Sequence, residues 1–200
     1  METEIQSKAD LSEQDVMNIF EDSGALLNGH FLLTSGKHSA RYMQCAQVLQ
    51  YPHHAARLGE ELAKQFANLG VQTVIGPAMG GILVAHEVGK ALGTRALFTE
   101  REDGKMRLRR GFQLTKGEMV LVVEDVITTG GSVKEVLQVV LEAEAIPVGV
   151  GVLVDRSGGK ADFGVPLQSL LKIQIETFEA SDCPLCKEGL PCIKPGSRKA

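Results

Sequence analysis

Two stretches, "EMVLVVEDV" at 118–126 and "PVGVGVLVDR" at 147–156, constrain the fold more than anything else in this chain. Both are apolar at successive positions rather than alternate ones. A strand with one face in water alternates apolar and polar side chains, whereas a strand apolar throughout needs cover on both faces. Helices supply that cover when strand and helix alternate along the chain. "VQTVIG" (71–76) is followed by the loop "PAMGG" and the helical "ILVAHEVGKAL", and "RALFTE" (95–100) is a further strand. "SVKEVLQVVLEAEA" (132–145) follows 118–126 and sets Val133, Val136, Leu137, Val140 and Leu141 along one side. The pattern predicts an α/β domain with a central parallel sheet flanked by helices.

The remaining segments fit around that sheet. Residues 10–27 carry Val16, Ile19 and Phe20 at the spacing of an amphipathic helix. Pro52 opens a helical run through 69, with Ala55, Leu58, Leu62, Phe66 and Leu69 at helical intervals. "GHFLLTSGKHSARYMQ" (29–44) reads as a hairpin turning at Ser35-Gly36, and "VPLQSLLKIQIETF" (165–178) as a small strand pair or cap. The expected organisation is one domain over 1–200, with a small hood from roughly 25–50 and 165–182 and a loosely structured, cysteine-containing tail at 183–200. Two hundred residues suit one such core. A net charge of -4 argues against nucleic acid as a partner of the whole surface. No apolar run reaches the ~18 residues of a membrane span, and "METEIQSKAD" has no signal-peptide core, so the expected location is the cytoplasm, away from membranes.

Ligands of open α/β sheets sit at the carboxyl ends of the strands. Two loops there are glycine-rich, "PAMGG" (77–81) and "TTGGS" (128–132). The second is the better phosphate site, because glycines admit backbone N–H groups, hydroxyls add donors and a helix N-terminus follows. Neither the GK[ST] of a Walker loop nor a GxGxxG is present. Ser132 taken alone reads equally well as a helix cap. Glu124 and Asp125 directly precede this loop. One carboxylate at a strand end serves as a cap; two in succession suit a ligand with a phosphate and vicinal hydroxyls, which describes a ribose 5-phosphate. The loop "EREDGKMRLRR" (100–110) holds Arg101, Lys105, Arg107, Arg109 and Arg110, and by itself reads either as a solvated charged loop or as a cationic lid.

At these residues the chain resembles a known family. "VLVVEDVITTGGS" (120–132) is similar to the phosphoribosyl-diphosphate signature of the type I phosphoribosyltransferases. "HFLLTSGKHSARYMQ", "GPAMGGILVA", "FTEREDGKMRLRRGF" and "VDRSGG" narrow the resemblance to the orotate-specific branch, over most of residues 18–160. The resemblance implies transfer of phosphoribose from phosphoribosyl diphosphate to orotate, with Mg²⁺ held largely by the diphosphate substrate and no direct side-chain ligation of metal. It implies a homodimer with shared active sites. It assigns Glu124 and Asp125 to the ribose hydroxyls, and Val126, Ile127, Thr128, Thr129, Gly130, Gly131 and Ser132 to the segment that cradles the 5-phosphate. "PAMGG" embraces the diphosphate, Lys105 is the catalytic lysine beside Asp125, and Arg101 is a further diphosphate contact. Thr128 also touches orotate, and Arg156 grips its carboxylate in a two-pronged pair, unless it only caps the sheet edge. Arg109 and Arg110 lie nearer the strand and anchor the loop. A lid of this composition is expected to be mobile without substrate.

Two departures stand out. Thr34 replaces a lysine of the better-known bacterial pattern, and Met79-Gly80 replaces a Tyr-Lys pair, with Lys37 as a candidate substitute cation. The tail "CPLCKEGLPC" supplies Cys183, Cys186 and Cys192, with Cys45 far upstream, which is no secreted disulfide framework. A zinc knuckle needs a fourth ligand, and no His follows His86, so a free or redox-sensitive thiol cluster is the expectation. His30, His38, His53, His54 and His86 have no metal spacing and read as surface or core residues. Two rival functions stay open: a purine phosphoribosyltransferase, and a non-catalytic regulatory protein of the same fold.

Overall fold

The structure, a computed structural model, describes residues 10–33 and 35–195; Thr34 lies outside the described residues. Ser12 starts the first helix, α1 (Glu13–Asp22), through a reciprocal cap. Its hydroxyl accepts from the Asp15 amide at 3.2 Å, and the Asp15 carboxylate accepts from the Ser12 amide at 2.9 Å. Val16 and Phe20, one turn apart, are the buried face. The helix stops at Asp22 rather than continuing to 27. Ser23 and Gly24 turn the chain, and Leu26 and Leu27 already belong to β1 (Leu26–Leu32).

β1 pairs antiparallel with β2 (His38–Met43), Leu26 opposite Met43 and Leu32 opposite His38, which is the predicted hairpin. A short α2 (Ala46–Leu49) leads to α3 (Pro52–Lys64), which Pro52 opens at the position where a missing N–H costs nothing. α3 ends at Lys64, five residues before the expected 69, although Phe66 in the following turn remains buried. The chain then runs through β3 (Thr73–Pro77), α4 (Gly80–Leu92), β4 (Arg95–Glu102), β5 (Lys105–Leu108), β6 (Met119–Ile127), α5 (Gly131–Glu142), β7 (Ile146–Asp155), β8 (Leu167–Lys172), β9 (Thr177–Phe178) and α6 (Pro184–Lys187).

Six strands form the central sheet in the order β5-β4-β3-β6-β7-β8, parallel except for the β4–β5 edge. Successive side chains of β6 serve two cores. Leu121 and Val123 join Leu58, Leu62 and Phe66 of the α3 side, while Val120 and Val122 join Val133, Val136 and Val140 of α5. The unbroken apolar run is thus explained by two covered faces. Each such fully buried Leu or Phe contributes roughly 1.5–3 kcal/mol.

Three expectations need correction. Residues 100–111 are not a plain loop: β4 extends to Glu102 and folds back as β5, a hairpin with Arg101 opposite Met106. Residues 165–178 are neither a strand pair nor wholly hood. β8 adds to the main sheet beside β7, where Leu170 and Leu171 are buried, and β9 crosses to pair with β2 in a separate three-stranded sheet, β1-β2-β9. The described part of the tail, 183–195, packs against the hood: Cys183 is buried, and Ile193 bonds through its backbone to His30 and Leu32. Among the described residues, no helix is long and apolar enough to cross a membrane.

Candidate active site

The carboxyl ends of β3, β6 and β7 lie side by side, so the three loops that follow them converge. β6 ends in the acidic pair. The Glu124 side chain is 8% exposed, and its Oε1 accepts from the Asp125 amide at 3.1 Å. Asp125 Oδ1 accepts from the Val126 amide at 2.8 Å. Asp125 Oδ2 points at the loop after β3, where a Cβ built on Gly80 would fall 2.3 Å from it. Only glycine fits there, and the "PAMGG" loop therefore lies directly against the acidic pair, across the cis peptide Ala78-Met79. Burial, and then the charge of Asp125, pushes the Glu124 carboxyl up to about 9, and burial also raises Asp125. Without a ligand the pair therefore keeps a proton at neutral pH.

The following loop opens a cavity of about 240 Å³, lined by Glu124, by residues 126–133, and by Arg101 and Glu135. This gathers Val126, Ile127, Thr128, Thr129, Gly130, Gly131 and Ser132 around one space at the N-terminus of α5. Gly130 is the helix N-cap in the left-handed region, φ 75°. A Cβ there would meet the Phe163 ring at 2.7 Å, so strain and space both demand glycine. Ser132 is not a cap, as the helix has already begun at Gly131 and no side chain caps it. The first amides of α5 thus face the cavity without intrahelical partners, the state that receives an anion.

The hairpin divides its five cations. Arg101 lines the same cavity and is held by Glu135 of α5, with guanidinium nitrogens 2.7 and 2.8 Å from its two carboxylate oxygens. Arg110 clamps Glu100 at 2.8 and 2.9 Å and lies over the Phe98 ring, as a loop anchor would. Arg107 and Arg109 share Glu102. Lys105 alone of the five has no ion pair among the described residues. It does not join that cavity; it lines a separate cleft of about 450 Å³ between β5 and α5. Lys37, the candidate substitute cation, pairs with Glu179 at 2.8 Å.

Arg156 follows β7, and its amide donates to the Ile127 carbonyl at 2.9 Å, tying it to the end of β6. Its guanidinium is half-buried, and Nε is buried with no hydrogen-bond partner. Burial disfavours its charge, and the ionisable groups acting on it are the Cys45 thiol and the Tyr42 phenol, neither a carboxylate. Burial, then the charge of Asp125, holds the Cys45 thiol protonated, and its Sγ–H faces the Asp125 carbonyl at 3.9 Å. Glu135, Phe163 and Cys45 were not singled out by sequence reasoning. Nothing in the local pattern marks Phe163 or Cys45, and Glu135 lies beyond the first turn of α5, where no charge pattern singles it out.

A second constellation lies in the hood. One donor atom each from His30, His38, Cys183 and Cys186 falls within 4.8 Å of the others. Spacing along the chain gives the histidines no metal pattern and the tail cysteines no fourth partner; the fold brings His30 and His38 of the N-terminal hairpin beside Cys183 and Cys186.

The site and fold define a class that the comparisons share. The sequence matches the phosphoribosyl transferase domain over residues 45–180, and the chain belongs to that family. Within it the chain sits among the orotate phosphoribosyltransferases. It is 61% identical to the orotate phosphoribosyltransferase of Desulforamulus reducens, over 94% of this chain and 99% of that one. It is 56% identical to that of Caldanaerobacter subterraneus, over 94% and 100%. Among solved structures, orotate phosphoribosyltransferase from Aeropyrum pernix superposes with a TM-score of 0.64 at 29% identity, covering 79% of this chain and 93% of that one.

Proposed function

We propose that this chain transfers the 5-phosphoribosyl group from phosphoribosyl diphosphate to N1 of orotate, giving orotidine 5′-monophosphate and diphosphate in pyrimidine biosynthesis. One juxtaposition carries the reading. A buried carboxylate pair with its phosphate loop ends β6, and beside it, after β7, stands a half-buried guanidinium with an unspent Nε–H. The first half suits a ribose 5-phosphate and the second a planar carboxylate, and orotidine monophosphate contains both.

In the reaction the C1–O bond to diphosphate breaks, the C1–N1 bond forms and orotate loses its N1 proton. Charge moves onto the diphosphate as the ribose takes on cationic character, so positioning and electrostatics are the protein's contribution. Glu124 and Asp125 accept hydrogen bonds from the ribose hydroxyls, amides of 128–132 hold the 5-phosphate, and Thr128 and Arg156 hold orotate. Arg101 reaches the diphosphate once it leaves Glu135. The solitary, exposed Lys105 supports a role at the site of a second copy, in a homodimer whose lids are exchanged. Mg²⁺ would be held largely by the diphosphate, with no side-chain ligand, and the buried Asp125 carboxylate beside the 77–81 loop fits a site that receives such a cation with its substrate phosphates. When bound, Mg²⁺ offsets the charge of the diphosphate. The proposed location is the cytoplasm.

The purine and non-catalytic alternatives leave Arg156 without a task. A spectrophotometric assay separates the three: orotate absorbance is expected to fall only when phosphoribosyl diphosphate and Mg²⁺ are both present. Turnover of adenine, guanine or hypoxanthine in place of orotate, or of no base at all, would overturn the reading.

A further inference from the structure

The cluster in the hood has a composition and geometry that the phosphoribosyl chemistry does not use. Around His30 Nε2 lie Cys183 Sγ at 3.6 Å, Cys186 Sγ at 3.7 Å and His38 Nδ1 at 2.8 Å, and Cys186 Sγ is 3.3 Å from His38 Nδ1. A tetrahedral zinc ion with Zn–N of about 2.0–2.1 Å and Zn–S of about 2.3 Å sets its ligands roughly 3.3–3.8 Å apart. These three nitrogen–sulfur distances already match, and the fourth, Cys183 Sγ to His38 Nδ1, lies within 4.8 Å. The two imidazoles, hydrogen-bonded to each other, need to part by about half an ångström to reach the same range. We propose that His30 Nε2, His38 Nδ1, Cys183 Sγ and Cys186 Sγ form a closed, structural zinc site that joins the C-terminal tail to the hood.

The surroundings orient the ligands for this task. His30 Nδ1 lies 2.8 Å from the Leu190 carbonyl oxygen, which only an N–H satisfies, so the lone pair is on Nε2 and faces the cluster. His38 turns its other nitrogen, Nε2, toward Cys192 Sγ at 3.9 Å, so an Nε2–H has a sulfur to meet when Nδ1 ligates. Cys183 is the N-cap of α6 and Cys186 lies within that one-turn helix, which brings the C-x2-C sulfurs to the same side. His30, His38 and Cys183 are 3%, 9% and 1% exposed. Two thiolates and two neutral imidazoles offset the double charge of the ion, and a neutral centre is the kind that tolerates burial. Soft sulfur with imidazole in a tetrahedral set selects zinc over the hard cations, and four protein donors leave no position open for catalysis. A Cys183–Cys186 disulfide is the competing chemistry, but it gives no use to two imidazole nitrogens converging on the same point.

The test begins with the unmodified full-length protein, purified without a metal-affinity tag. One equivalent of zinc per chain is expected. Cobalt in its place should give thiolate-to-metal charge transfer and the intense visible bands of a tetrahedral ion. The Cys183→Ser, Cys186→Ser double variant should lose both, and Cys192→Ala, which removes only the partner of His38 Nε2, should weaken zinc about 10–100-fold. Folded, reduced protein that holds substoichiometric zinc and gives no tetrahedral cobalt spectrum would overturn the site. So would a Cys183–Cys186 disulfide found by mass spectrometry in protein taken from cells. If the double variant does not fold, the metal content and cobalt spectrum of the unmodified chain decide the question.

Discussion

The ribose-phosphate cradle and the histidine–cysteine cluster are built in opposite ways. The cradle uses nine consecutive residues, 124–132, at one strand–loop–helix junction. The cluster draws on β1, β2 and the tail, with residues as far apart as 156 positions. In the first, local backbone geometry alone aims the amides and carboxylates, so the site survives change elsewhere. In the second, no element aims anything until the sheet is complete and the tail has crossed it. A contiguous site depends on its own loop; a dispersed one depends on the fold, and in return restrains it.

That contrast is easiest to break at the cradle. Asp125→Asn and Lys105→Ala are each expected to cut turnover by about 10²–10³-fold, the scale of losing one preorganised electrostatic contact. Both should leave the thermal midpoint of the ligand-free protein and the cobalt spectrum of the hood intact. A collapsed midpoint in Asp125→Asn would mean that the pair holds the fold rather than the substrate. Mixed under conditions of subunit exchange, these two inactive chains should regain activity, because one site of each mixed dimer then carries both defects and the other neither. Continued inactivity after proven exchange would exclude a shared lid.

Arg156→Ala is expected to raise the orotate KM by about 10–100-fold, the effect of losing a charge-assisted pair of about 1.5–3 kcal/mol. Uracil, which lacks the carboxylate, should be a poor substrate of the unmodified chain. An unchanged orotate KM would return Arg156 to a sheet-edge cap.

The acidic pair has a milder signature in stability. Glu124 titrates at about 9 when folded and near 4.5 when unfolded, so between these values the folded chain binds the extra proton. Stability contributed by this proton is present at low pH and falls as pH rises through that window, by at most ~1.4 kcal/mol per pH unit. Urea titrations of ligand-free protein from pH 5 to 9 should show the decline, and Glu124→Gln should flatten it. The smallest effect is expected at Glu135. Its pair with Arg101 is partly exposed and contributes about 0–1 kcal/mol, so Glu135→Gln should only modestly increase proteolysis of the β4–β5 hairpin.

The same contrast explains what the sequence disclosed. Strands apolar on both faces and a glycine-rich loop after two carboxylates are local signals, and the sheet and cradle were legible from them. The β4–β5 hairpin was hidden by its charges, although Met106 and Leu108 alternate with Arg107 and Arg109 and pack toward α5. β8 and β9 were read as partners because they are neighbours in sequence, whereas buried Leu171 draws one to the main sheet and the edge of β2 takes the other. The histidine–cysteine cluster leaves no signal along the chain, because its members meet only in space. His30 lies in β1 and His38 in β2 opposite Leu32, and their rings meet only once the hairpin pairs.

The order of the chain gives the tail a place in time as well as in space. Cys183 follows His30 by 153 residues. At synthesis rates of about 5–20 residues per second, the hairpin emerges from the ribosome roughly 8–30 s before its sulfur partners exist. The backbone bonds from Ile193 to His30 and Leu32 come later still. The hood therefore waits for residues 183–193, and a nascent chain that stops short of them carries the whole 124–132 junction beneath an unfinished roof.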